Sequence, residues 1–138
     1  MIKVLFICTG NSARSIMAEV LMNHHGKGKY QAFSAGAKPS GEVNLLTLDI
    51  LESRGHSTNN LRSKSIDEFN EELFDVVVTV CDNARESCPV WPSKTDVLHW
   101  SFPDPAAFEG TISDKKQFFM DICQDVERTI NKFIKDRG

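Results

Sequence analysis

Two runs of apolar, largely β-branched residues, within Lys3 to Cys8 and within Asp75 to Val80, constrain the fold of this chain more than anything else in it. A strand with one wet face alternates apolar and polar residues. These runs hardly alternate, so both of their faces must be covered, which is the condition of a central strand in a parallel sheet. The first run ends on Cys8 and the second delivers Cys81. Two thiols therefore emerge from the same edge of one sheet.

The segments between these runs supply the rest of an alternating pattern. After Cys8 comes a small, polar stretch with Gly10, Asn11 and Ser12, and then Ile16, Val20, Leu21 and His24 recur at helical spacing. Tyr30 to Ala35, closed by Gly36, predicts a second strand, and Leu45, Leu48, Ile50 and Leu51 form the apolar part of a second helix stopping near Gly55. Asp96 to Trp100 predicts a fourth strand, followed by the proline-bounded loop Phe102-Pro103-Asp104-Pro105. A closing helix is marked by Phe118, Phe119, Ile122, Val126, Ile130, Phe133 and Ile134, a stripe read as core. The expected fold is α/β: one domain over residues 1–138, with a four-stranded parallel sheet and helices on both faces. Ligands in such sheets bind at the carboxyl ends of the strands near a switch point, where the cysteines lie.

Composition narrows the function. A chain of 138 residues with a formal charge of −3 has no basic surplus to draw nucleic acid, so attraction for an anion must come from a local site. No run approaches the length of a membrane helix, and the apolar start is too short for a secretory signal, so a cytoplasmic protein is expected. No apolar stripe is left over once the helices cover the sheet, which predicts a monomer. The four cysteines, Cys8, Cys81, Cys88 and Cys123, would then sit in a reducing compartment, where thiols are catalytic, metal-binding or buried rather than held in lasting disulfides.

The loop Cys8-Thr9-Gly10-Asn11-Ser12-Ala13-Arg14-Ser15 is built for a tetrahedral oxyanion. Consecutive backbone N–H groups from Thr9 to Arg14, leading into a helix N-terminus, converge on oxygens such as those of phosphate or arsenate. Gly10 permits close approach, and Arg14 can return its planar guanidinium to grip two oxygens. Cys8 starts this cradle, where the helix dipole and Arg14 both favour a thiolate. Ser15 is placed to donate a hydrogen bond to that sulfur, and Asn11 to hold the loop in shape. A cysteine with an arginine six residues later arises often by chance; the strand before, the small-residue loop within and the helix after are what make the pattern specific.

Displacement at an oxyanion expels a poor leaving group, and Asp104, between Pro103 and Pro105, is the candidate acid. A plain turn aspartate is the alternative. Cys81 and Cys88 lack the short spacing and histidine partners of a metal site, so no metal is expected. A redox pair is favoured over two inert buried thiols. Cys123 falls within the apolar stripe of the last helix and is read as core, and His24 and His25, closing the first helix, as surface residues.

Taken together, the CTGNSARS loop, the CDNARESCPVWP segment and the HWSFPDPA segment resemble the thioredoxin-coupled arsenate reductases, a family sharing its fold with low-molecular-weight protein tyrosine phosphatases; Ser34-Ala35-Gly36 also fits. The resemblance implies that Cys8 attacks arsenate, that Arg14 and the loop amides hold its oxygens, and that Asp104 protonates the departing oxygen. It further implies that Cys81 attacks Cys8, releasing arsenite, and that Cys88 then takes the disulfide for an external thiol reductant such as thioredoxin, with no bound cofactor. Some members bind a monovalent cation at positions that here include Asn11, Glu19 and Ser34. Lys64 stands where a further ligand is expected, and its ammonium can fill the ion's place.

Two rivals remain at this level. A tyrosine phosphatase would use Cys8, Arg14 and Asp104 but not Cys81 and Cys88, and would want aromatic walls that Pro105-Ala106-Ala107 does not supply. A weak side activity on aryl phosphates is expected from the shared loop. A non-catalytic oxyanion or redox sensor would have no use for an intact nucleophile and acid.

Overall fold

In a computed structural model of the chain, residues 1–81 and 91–137 are described. Four parallel strands form one sheet in the order β2-β1-β3-β4: β1 is Ile2–Cys8, β2 Tyr30–Gly36, β3 Val76–Thr79 and β4 Asp96–His99. The two runs that do not alternate became the two central strands. Val4, Leu5 and Phe6 of β1 and Val76, Val77 and Val78 of β3 are all fully buried, and each such side chain contributes about 1.5–3 kcal/mol relative to an exposed one. β4 is an edge strand and is less apolar, with Val97 half exposed. The chain steps from β1 to β2 on one side and returns to β3 on the other. The switch point therefore lies between the carboxyl ends of β1 and β3, where Cys8 and Cys81 emerge.

The sheet has helical cover on each face. Helices α1 (Arg14–His25) and α3 (Ile112–Asp136) pack together on one side, where Trp100 meets both Phe6 and Phe133. Thr111 caps α3 by accepting from the Asp114 amide, and Phe119, Ile122, Cys123, Val126 and Ile130 form its buried stripe, so Cys123 is a core residue. The opposite face is closed by a short 3-10 helix, Ile66–Phe69, and by a ring cluster of Phe33, Phe69, Phe74 and Trp91. Helix α2 (Leu45–Ser53) buries less of its apolar part than the sequence reading expects: Leu45 is 78% exposed and Leu48 is only partly buried. The buried residues Thr47, Ile50 and Leu51 fall at three- and four-residue spacing, and Leu45, two positions before Thr47, lies off that stripe.

At the far end of α1 from the cysteines, His24 packs edge-on against both His25 and His56, while Glu127 of α3 pairs with His25 and with Arg54. Burial pushes the His56 imidazole below its ordinary 6.5, and the charges of His24 and Arg54 push it the same way. Burial pushes Glu127 up, but its hydrogen bond from His25 and the charge of Arg54 outweigh this and hold it below the usual carboxylate range. The unfolded chain therefore takes up protons more readily than the folded one at His56 as the pH falls through about 6.5, and later at Glu127, so acid destabilises the fold at both steps. Thermal unfolding from about pH 7.5 to about pH 5.5 should show stability falling, and His56→Gln should flatten that slope. A variant with an unchanged slope would remove His56 from the explanation.

Candidate active site

The loop after β1 owes its shape to the segment that follows β2. Carbonyls of the loop bond outward: Ala37 donates to Cys8 O (3.1 Å), Lys38 to Thr9 O (2.9 Å), Ser40 to Gly10 O (3.0 Å) and Asn44 to Ser12 O (3.0 Å). The peptide plane sets N–H opposite C=O, so carbonyls drawn outward turn the amides toward the loop's interior. One of them, Asn11 N–H, reaches Cys8 Sγ at 3.1 Å. Nothing in the sequence of the loop announced the part played by residues 37–44.

Asn11 is the hinge of the arrangement. It is fully buried and has φ of 48°, a left-handed conformation that Asn tolerates better than most residues. Its side-chain oxygen accepts from Lys64 N–H at 2.7 Å, and its amide donates to Ser15 Oγ at 2.8 Å. Ser15 Oγ lies 2.8 Å from Cys8 Sγ. Ser15 Oγ accepts from Asn11, and its own proton is the one it has to offer a neighbouring sulfur. Gly36, paired with Cys8 across the sheet, makes this crowding possible. A Cβ there would come within 2.7 Å of Thr9 O and 3.1 Å of Asn11. Gly36→Ala should cost about 1–3 kcal/mol and loosen the loop, which paired measurements of unfolding and oxyanion affinity would register.

Below Asn11 lies a buried charge cluster. Lys64 is 9% exposed; its Nζ donates to Arg62 O (3.0 Å) and to Ser34 Oγ (3.5 Å) and pairs with Glu19 at 3.5 Å, while Ser34 Oγ donates to Glu19 at 2.5 Å. The ammonium thus lies among Glu19, Ser34 and Arg62 O, while Asn11 is met by the Lys64 backbone.

Arg14 is the first residue of α1, a helix with no acidic residue in its first turn and no side-chain cap, which leaves its N-terminal amides available to an anion. Its guanidinium is held by Phe102 O at 3.0 Å, and Asp104 lies 3.9 Å away across the hollow. Asp104 directly precedes the short 3-10 helix Pro105–Ala107. Cys8, Thr9, Gly10, Ser12, Ala13, Arg14 and Asp104 line a cavity of about 230 Å³. A larger hollow of about 550 Å³ lies over Phe69 and Trp91, but among the described residues its lining includes neither a thiol nor an arginine, and size does not decide where chemistry occurs.

Cys81 joins this group through Thr9. The β1–β3 register pairs Ile7 with Thr79, and Val80 N–H continues it by donating to Ile7 O at 2.8 Å. Two residues further on, Thr9 stands beside Cys81, with Thr9 Oγ1 3.3 Å from Cys81 Sγ. Cys81 thus follows by one residue the position level with Cys8 on the neighbouring segment. Both thiols are free and buried. Cys88 lies outside the described residues. Among the described residues no group of His, Cys, Asp and Glu could hold a metal ion.

The model of the low molecular weight phosphotyrosine protein phosphatases matches residues 3–137. The chain belongs to that family. Within it, the chain is similar to an arsenate reductase of Halalkalibacterium halodurans, 34% identical over 130 residues, 94% of this chain and 93% of the relative. Among solved structures, one described as an arsenate reductase in the phosphate binding state is 26% identical with a TM-score of 0.79, and all of each chain is covered. The thioredoxin-dependent arsenate reductase of Corynebacterium glutamicum is also 26% identical with a TM-score of 0.67, covering 95% of this chain and 62% of the other. Family membership accounts for the strand, loop and helix around Cys8. Which chemistry the loop serves is decided by what stands beside it, because one fold hosts several activities.

Proposed function

We propose that this protein reduces arsenate to arsenite with its own thiols and is regenerated by thioredoxin. The observation that carries the reading is the second thiol, Cys81, held 3.3 Å from Thr9 Oγ1 beside the nucleophile, since phosphate ester hydrolysis needs no second thiol. The named activities of the similar proteins support the same choice.

Cys8 thiolate attacks the arsenic atom of arsenate while Arg14 and the amides of Thr9 to Arg14 hold the remaining oxygens. Asp104 donates a proton to the departing oxygen, which leaves as water. Cys81 then attacks Cys8 Sγ. The Cys8–arsenic bonding pair stays on arsenic, which leaves as arsenite, and a Cys8–Cys81 disulfide remains. Arsenic gains two electrons and the two thiols lose them, so no bound redox group is required. Cys88 attacks Cys81 in turn, and thioredoxin reduces the resulting Cys81–Cys88 disulfide. Ser15 and Asn11 serve by holding the Cys8 sulfur, and Thr9 by holding Cys81.

The Lys64 ammonium, enclosed by Glu19, Ser34 and Arg62 O, supplies the positive charge a monovalent cation would bring. Turnover is accordingly expected to be the same with potassium as with a bulky organic cation at equal ionic strength. Among the described residues no helix is long and apolar enough to cross a membrane, and the reading places the enzyme in the cytoplasm as a monomer, where a thiol reductant keeps it reduced. Hydrolysis of aryl phosphates by Cys8, Arg14 and Asp104 is a minor activity of the same loop.

The direct test is a single turnover without reductant. Reduced protein mixed with arsenate should release one arsenite per chain and lose two free thiols. Cys81→Ser should release none while still hydrolysing an aryl phosphate. Equal behaviour of the two proteins toward arsenate would refute the relay.

A further inference from the structure

We propose that the reduced protein captures trivalent arsenic, the product of the reaction proposed above, as a one-atom bridge between Cys8 and Cys81, and that it is inactive while the bridge lasts. The proposal rests on that reading in one respect only: the two sulfurs must be able to approach each other.

Arsenite is a neutral acid at neutral pH, soft at its arsenic atom, and soft centres select thiolates. The reduced site offers two free thiols. Cys8 Sγ accepts from Asn11 N–H at 3.1 Å and lies 2.8 Å from Ser15 Oγ, so the sulfur is held in place by its neighbours. Cys81 Sγ is 3.3 Å from Thr9 Oγ1 on the neighbouring strand. A disulfide between these residues would bring the sulfurs to about 2.05 Å. A bridge through one arsenic atom spans a wider gap than a direct bond, so capture demands less movement than the exchange step itself. The cavity at Cys8 is lined by the polar residues Thr9, Ser12 and Arg14, which can hydrogen-bond the hydroxyl that stays on arsenic.

The step balances without any oxidant. Arsenic keeps its trivalent state: two arsenic–oxygen bonds break, two arsenic–sulfur bonds form, and each hydroxide leaves with a thiol proton as water. The third hydroxyl stays. Because the bridge consumes the nucleophile, arsenite should inhibit in competition with arsenate, and the reaction that consumes arsenite, by export or by further modification of arsenic, must keep it dilute for the enzyme to cycle. Antimonite, of the same valence and softness, should be captured in the same way.

The test is a thiol count on reduced, reductant-free protein held under nitrogen and titrated with arsenite, followed by ultraviolet absorption of the arsenic–thiolate chromophore. The wild type, Cys88→Ser and Cys123→Ala should each lose two reactive thiols per chain and gain the absorption band, and a competing small dithiol should reverse both. Cys8→Ser and Cys81→Ser should lose none. Two thiols lost in Cys8→Ser would place the captured arsenic between Cys81 and Cys88 and overturn the proposal, as would a wild type that loses none. The titration contains no arsenate, so its outcome is separate from that of the turnover assay: turnover without capture removes the bridge alone, and capture without turnover removes the reductase reading alone.

Discussion

An Arg14→Lys protein is expected to fold normally and to lose roughly 10²–10³-fold in kcat/KM for arsenate, the effect of removing one well-placed donor from an oxyanion site. The guanidinium is fixed by Phe102 O at 3.0 Å and faces the hollow beside Asp104. From that position its planar fork can donate two parallel hydrogen bonds to the oxyanion, and an ammonium on a shorter, flexible stem cannot. Affinity for inorganic phosphate should fall with it, because phosphate presents the same tetrahedron of oxygens. Steady-state kinetics and phosphate titration read the two effects separately. A loss smaller than tenfold in both would mean that the backbone amides alone carry oxyanion binding.

Removing the Lys64 charge should produce the largest change in stability. Lys64→Met leaves the half-buried Glu19 beside Ser34 without its nearest counter-charge, and breaking a largely buried pair from one side costs up to about 3 kcal/mol. The damage should reach the nucleophile, because the Lys64 backbone N–H fixes Asn11 Oδ1, and Asn11 in turn orients Ser15 against Cys8. Adding Glu19→Gln removes the stranded carboxylate and should recover most of the lost stability, a coupling that denaturant unfolding of the four proteins in the cycle would measure. Purely additive effects would show that the two side chains do not act as a pair.

The strands were legible because their signal is local. Runs such as Val76-Val77-Val78 have no other comfortable place than the middle of a covered sheet, and the stripe of α3 from Phe119 to Ile130 is as plain. The nucleophile loop was legible for the same reason, since Cys8, Arg14 and Ser15 are neighbours in the chain. The distant partners were reached by other routes: Asp104, 90 residues from Arg14, through its proline-bounded loop, and Lys64, 53 residues from Asn11, only through the family resemblance. Their approach follows from the strand order β2-β1-β3-β4, which sequence periodicity does not state. The outward bonds from residues 37–44 use backbone atoms and so leave no mark in side-chain chemistry. The cover supplied by Phe69, Phe74 and Trp91 escaped for a related reason: their ring contacts join residues with no common periodic pattern.

The most direct measurement is arsenate-dependent oxidation of NADPH in the presence of thioredoxin and thioredoxin reductase, made on the wild type, Cys81→Ser and Cys88→Ser. Sustained oxidation by the wild type, with none by either variant, is the expected result and would establish a relay through all three thiols. If arsenate drives no oxidation in the wild type while all three proteins hydrolyse an aryl phosphate equally well, the protein is a phosphatase and the reductase reading is wrong.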